Sequence, residues 1–244
     1  PRPVRVQAAA PAEGSAAAYT GEIRARHESD LAFRVGGKII ARLVDAGAEV
    51  KAGTPLARLD PVDLELAVQS AKAQLQAAES DHATAKAERE RYADLVAKRF
   101  VSQTAFEAKD NAYKAAQSRL EQARAQAAVS GNQASYGTLT ADRAGIITAI
   151  QAEAGQVVSA GQSVMRLARP EEKEVAIAVP ESRLAELKAA KQLRVALWAQ
   201  PDVVLTGHLR ELTPAADAAT RTYAARIRLE DPPPSVLLGM TAQV

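Results

Sequence analysis

Apolar positions along this chain follow two rhythms, and the change from one to the other marks its organisation. Between residues 62 and 135 apolar and small side chains recur at alternating steps of four and three. One series runs Leu64, Val68, Ala71, Leu75, Ala78, His82, Ala85, Arg89, Tyr92 and Val96. A second runs Phe106, Lys109, Tyr113, Ala116, Leu120, Ala123, Ala127 and Ser130. This is the seam spacing of a coiled coil. The span has no proline and no glycine before Gly131. Asp60-Pro61-Val62-Asp63 reads as a helix start, with proline in the first turn and acids near the positive end of the helix dipole. The pattern breaks at Lys98–Gln103, where Ser102 competes with a Thr104/Glu107 capping box to open the second helix. The spacing predicts an antiparallel hairpin whose first helix of roughly 36 residues is about 55 Å long. Its seam is rich in alanine with only a few large residues, so it buries little area per turn and takes its stability from its base.

On either side the rhythm is period two, and one segment occurs twice. Gly37-Lys38-Ile39-Ile40-Ala41 to Leu59 reappears, offset by 108 positions, as Gly145-Ile146-Ile147-Thr148-Ala149 to Leu167. Glycines stand at 37, 47 and 53 and again at 145, 155 and 161. Ile39 matches Ile147, Val50 matches Val158, and Arg58-Leu59 matches Arg166-Leu167. The reading is short strands joined by tight turns, with all six glycines as turn residues. Gly47 and Gly53 fall where positive φ is needed. Each copy is too short to bury a core alone, so the two pack together.

Beyond residue 170, Val175, Ile177 and Val179 alternate with polar or small residues up to Pro180. A short helix over 181–190 and further alternating runs at Leu193–Leu197 and Tyr223–Leu229 follow, which suggests a small barrel.

Composition removes several classes of function. Net charge is +2 with both signs dispersed, which gives no basic stripe for nucleic acid. There is no cysteine, hence no thiolate chemistry. Histidines occur only at 27, 82 and 208, without metal-motif spacing. No phosphate-binding loop or nucleophile elbow is present. No catalytic residue, cofactor or metal site is expected, and no enzyme activity. No apolar run approaches the roughly 18 residues of a membrane span. The chain opens on Pro1-Arg2-Pro3 without Met, so an N-terminal segment is expected to have been removed.

The repeat resembles the two half-motifs of a lipoyl (biotinyl-carrier-like) domain. True carriers hold their cofactor on a lysine in the hairpin joining the halves. Here some 75 residues join them, with no Met-Lys-Met or Asp-Lys-Ala. A helical hairpin between lipoyl halves is similar to the membrane fusion protein (HlyD-like) family of periplasmic adaptors. Gly207 to Thr222, containing Pro214, Asp217 and Thr220-Arg221-Thr222, resembles the barrel signature of adaptors from RND-type efflux pumps. So does the later Leu237-Leu238-Gly239-Met240. The resemblance covers Tyr19 to Val244. It implies a mixed α+β, elongated and modular fold: a long antiparallel coiled-coil hairpin inserted into a lipoyl-like β-sandwich, followed by a small β-barrel. The expected domains are 1–18, a remnant strand (around Pro3–Gln7) of a membrane-proximal domain; 19–33 with 169–244, the barrel; 34–61 with 136–168, the lipoyl-like domain; and 62–135, the hairpin.

By the same resemblance the chain links an inner-membrane RND transporter to a TolC-type outer-membrane channel. It self-associates as a hexameric ring, and lies in the periplasm, anchored at the inner membrane through a segment absent from this chain. Arg91, Leu95 and Ser102 match the family's R-x-x-x-L-x-x-x-x-x-x-S pattern for channel docking. Thr220, Arg221 and Thr222 are expected to meet the transporter or a neighbouring copy. Two alternatives stay open: an adaptor for an ABC-type exporter or type I secretion system, and a lipoyl or biotin carrier subunit. The exported substrate has no legible signature.

Overall fold

The computed structural model describes residues 18–244; the strand expected at Pro3–Gln7 lies outside them. In chain order the elements are β1 (Thr20–Ala25), β2 (Glu28–Ala32), β3 (Gly37–Arg42), β4 (Glu49–Val50) and β5 (Pro55–Leu59). Two helices follow, α1 (Val62–Ala97) and α2 (Gln103–Ser135). Then come β6 (Thr138–Thr140), β7 (Gly145–Ile150), β8 (Val157–Val158), β9 (Ser163–Ala168) and β10 (Lys173–Pro180). A single 3-10 turn leads into α3 (Leu184–Ala189), and β11 (Leu193–Leu197), β12 (Gln200–Leu212), β13 (Thr222–Leu229) and β14 (Thr241–Gln243) complete the chain. These divide into two units, 29–167 and the rest.

The repeat builds the sandwich of the first unit by exchange. Its sheets run β2-β9-β7-β4 and β6-β5-β3-β8, so the short strand of each copy pairs with the long strand of the other. Gly37 faces Val158 and Gly145 faces Val50. The hydrogen bonds repeat as well. Gly47 N–H donates to Ile147 O and Gly155 N–H to Ile39 O, both at 2.7 Å. Alternation sends Ile39, Val50, Leu56, Ile147, Val158, Val164 and Leu167 into one core. Gly47 and Gly155 have φ of 87° and 95°, Gly53 and Gly161 of 82° and 80°, a region where a Cβ is strained. Gly37 and Gly145 are a correction: they open strands β3 and β7 rather than occupying turns. A Cβ on Gly37 would sit 3.3 Å from Leu59 Cδ1, so that glycine serves close packing.

A second correction concerns residues 28–33. They were expected in the barrel, but β2 joins the sandwich sheet and Leu31 and Phe33 bury in its core. Two large apolar side chains two residues apart, one on β2 and one just past it, go where a core can cover them.

The hairpin follows its seam pattern at every position: each residue of both series is buried or half-buried. Towards its base the seam holds Leu64, Val68, Ala71 and Leu75, with Leu120 and Ala116 near its middle, and Arg34 stacks on Tyr136 at 3.8 Å just past α2. Its outer half is polar and aromatic. Arg89 donates to Asp110 at 2.5 Å and Lys109 to Glu88 at 2.7 Å. His82 lies 5.2 Å from Tyr113, and Arg89 sits over that ring at 5.3 Å.

The second unit is a closed barrel in the order β1-β10-β13-β12-β11-β14. Inward Val175, Ile177, Val179, Val195, Ala225, Ile227 and Leu229 fill it, and Leu184 and Leu187 of α3 pack into that core. Gly207, the first residue of the signature segment, lies between β11 and β13, where a Cβ would stand 2.6 Å from Ile227 Cγ2. Tyr19 and Val244 exchange both backbone hydrogen bonds at 2.8 Å.

Candidate functional site

The sequence singles out two surfaces, the hairpin apex and the loop before β13. At the apex the end of α1 sets the geometry. Phe100 N–H donates to Leu95 O at 2.9 Å and Arg99 N–H to Val96 O at 2.8 Å, with Arg99 left-handed at φ 62°. This is a Schellman closure with arginine where glycine is usual. The chain then turns back, and Ser102 Oγ accepts from Ala105 N–H at 3.2 Å. Ser102, not the Thr104/Glu107 pair, therefore caps α2; Thr104 is already inside the helix.

Arg91 is exposed, Leu95 half-buried and Ser102 exposed. All three lie within the last two turns of α1 and the cap of α2, the far end of the hairpin. Leu95 also supplies the carbonyl that closes α1, and Ser102 is occupied as a cap, whereas Arg91 acts locally only through its charge on Glu88. Sequence reasoning missed Phe100, 75 % exposed at the apex, and Arg99. The signal for both was the same break at 98–103, since a residue just past a helix end at positive φ throws the next side chain outward.

The barrel loop is organised by Asp217. Its Oδ1 accepts from Ala219 N–H at 3.0 Å, Thr220 N–H at 2.9 Å and Thr220 Oγ1 at 3.0 Å. Those bonds, the Thr220 N–H first, hold its carboxyl below the usual range. Thr220 Oγ1 and Thr222 Oγ1 are 2.8 Å apart, and Arg221 N–H donates to Asp217 O at 2.8 Å. The two threonines thus close the loop on itself. Arg221, at φ 53°, is exposed and makes no ion pair among the described residues.

Two further charged groups in the barrel escaped the sequence. Glu174 lies on the strand's outer face yet is only 2 % exposed. Arg210 binds it at 2.7 and 2.9 Å and Arg226 at 3.2 Å. Alternation marks it as a surface residue; only the register of β10 against β13, and of β13 against β12, brings Arg226 and Arg210 over it. His208 Nδ1 is 2.8 Å from Lys191 O, and Nε2 is 2.8 Å from Glu230 Oε1. Both partners only accept, so the ring satisfies both when doubly protonated. The Lys191 carbonyl first, then the Glu230 carboxylate, hold its pKa above the ordinary value, against Arg228. No group of three His, Asp or Glu among the described residues could hold a metal. No helix among them is long and apolar enough to cross a membrane.

Known proteins match both units. Residues 27–168 match the RND MFP barrel-sandwich hybrid domain, and residues 175–244 the CusB-like β-barrel domain. Over 237 residues the chain is 27 % identical to the multidrug resistance protein MdtA of Escherichia coli O17:K52:H18 (strain UMN026 / ExPEC), covering 93 % of this chain and 57 % of that one. Identity to MdtA of Klebsiella pneumoniae subsp. pneumoniae is 26 %, over 93 % and 58 %. The chain therefore spans less than two thirds of these relatives. Among solved structures, a MacA-MexA chimera containing the Pseudomonas aeruginosa MexA α-hairpin domain matches at 25 % identity and a TM-score of 0.67, over 93 % of this chain and 78 % of that one. The membrane fusion protein Spr0693 from Streptococcus pneumoniae R6, 18 % identical, shares the fold with a TM-score of 0.74 over 93 % and 97 %. Sandwich, inserted hairpin and barrel thus agree with one another, and the chain belongs to the RND membrane fusion protein family.

Proposed function

We propose that this chain is a periplasmic adaptor, held at the inner membrane, that joins an RND transporter to a TolC-type outer-membrane channel for export of small molecules. It does no chemistry on the cargo. It works by assembling into a ring of six copies that seals the conduit and holds the channel open. The observation that carries this reading is the hairpin itself: it interrupts a sandwich between two exchanged halves and ends in an apex where Arg91 is exposed. Arg91 offers several donors to carbonyls or carboxylates of a channel helix. Leu95 adds apolar area, and Ser102 is small enough for close approach. In the barrel, Arg221 is the corresponding contact to the transporter or a neighbouring copy.

The test is efflux in cells that depend on this adaptor. Arg91→Asp reverses the apex charge. Ser102→Asp adds charge while keeping a good N-cap, so both chains fold. Each is expected to lower channel cross-linking and efflux about tenfold, equivalent to ~1.4 kcal/mol of docking free energy, while the transporter still co-purifies. Full efflux and full cross-linking in both variants would defeat apex docking. Recovery of an ATPase in place of an RND transporter would move the chain to the ABC-type class. A lysine-linked cofactor in the intact mass would make it a carrier.

A further inference from the structure

One end of the barrel is closed by a segment that little holds in place. In the order β1-β10-β13-β12-β11-β14 the strands β10 and β11 stand opposite each other. β10 ends at Pro180 and β11 begins at Leu193, so residues 181–192 cross the mouth from wall to wall, with α3 midway. Leu187, 3 % exposed, and Leu184 press into the barrel core. The other four residues of α3 are exposed, and the ion pair of Arg183 with Glu186 stays within the segment. Among the described residues one hydrogen bond ties 181–192 to the strands, that between Lys191 O and His208 Nδ1 at 2.8 Å. The other nitrogen of the same ring, Nε2, meets Glu230 Oε1 at 2.8 Å.

The Lys191 carbonyl and the Glu230 carboxylate only accept, and only the imidazolium has a proton for each. When one proton leaves, the bond to the carboxylate is the stronger of the two because its acceptor is charged. The remaining proton stays on Nε2, and the bare Nδ1 then faces the Lys191 carbonyl, lone pair against lone pair. The charged groups around the ring are Glu230, Arg228 directly across on β13, Lys191 itself, Arg194 on β11, and Arg210 further along β12, which is tied to Glu174 and Glu211. The Lys191 carbonyl and Glu230 favour the charged ring, and Arg228 opposes it. We propose that residues 181–192 are a lid on the barrel and that His208 is its latch, shut while the imidazole carries both protons and released when it carries one. The lid is therefore held on the acid side and freed towards alkaline pH. Opening lifts Leu184 and Leu187 away and uncovers an apolar mouth. A segment anchored by two leucines and one switchable bond belongs to the low end of local stability, from which moving elements are drawn.

Hydrogen exchange on the full chain tests this, with each amide's protection taken relative to unstructured peptide at the same pH. Protection of α3 and of Ala190, whose N–H donates to Glu186 O, is expected to fall about tenfold between pH 6 and pH 8.5, as the loss of one hydrogen bond implies. Amides of β10 and β13 should keep theirs. Glu230→Gln separates a latch from a merely structural histidine. A neutral ring can donate Nδ1–H to Lys191 O and accept at Nε2 from the Gln amide, so this variant is expected to stay protected at both pH values. His208→Ala is expected to be poorly protected at both; should that chain not fold, Glu230→Gln decides alone. Protection of α3 that is the same at pH 6 and pH 8.5 in the unaltered chain would overturn the proposal. So would a Glu230→Gln chain that keeps the full drop, or a drop shared equally by α3 and the strands.

Discussion

Gly47 has open space around its missing Cβ and φ of 87°, so any substitution there acts through the backbone alone. Gly47→Val is expected to destabilise the sandwich by about 1–2 kcal/mol, the cost of a left-handed L-residue, and Gly47→Asn by less, since Asn visits that region more readily. Equal melting temperatures for all three chains would contradict the turn. His208 gives a pH signature. Its pKa is raised in the fold, so its contribution is fully present below the unfolded value of 6.5 and is lost as pH rises through the folded value. The barrel's melting temperature is expected to fall from near-neutral to mildly alkaline pH, and His208→Gln to flatten that slope. At this scale the sequence was legible where one residue type has one job, as at the four positive-φ glycines. It was not legible where a neighbour decides. Gly37 answers to Leu59, Glu174 to arginines on other strands, and Asp217 to amides of its own loop.

The helices were readable almost to the residue because the seam is periodic and no proline or glycine interrupts it until Gly131. Bulky apolar side chains concentrate towards the base, and Leu120, 5 % exposed, is the largest of the fully buried seam residues. Leu120→Ala is expected to cost about 2–5 kcal/mol, measured as loss of helical signal on denaturation. A cost below 1 kcal/mol would show the hairpin to be far looser than its seam implies. The outer half depends instead on ion pairs. Lys109 holds the Glu88 carboxyl below its ordinary value, and Lys114 and then Arg89 do so for Asp110. The strands were less legible. In β12 the run Val203-Val204-Leu205 and a register shift between Leu209 and Glu211 hide the alternation. β14 has only three residues, too few to show a period, and β2 reads the same whichever sheet it joins.

The strand exchange within the sandwich has a consequence for how the chain is made. β3 waits for β8 and β4 for β7, so neither half can complete its sheet until residues beyond the hairpin have left the ribosome. The hairpin contacts are local and form fast, whereas the sandwich pairings are distant in sequence and slow. A hairpin that folds first brings the end of β5 next to the start of β6. It thereby replaces a connection of some 75 flexible residues by one of a few, a gain on the order of 2 kcal/mol in closure entropy. The long arm is then a folding chaperone in cis as well as a reach towards a partner. Refolding kinetics test this: Leu120→Ala is expected to slow closure of the sandwich, whose core it does not join, more than it speeds its unfolding. In a cell, a variant weakened only in the arm would leave two half-sheets with open edges, free to pair with the halves of another nascent chain.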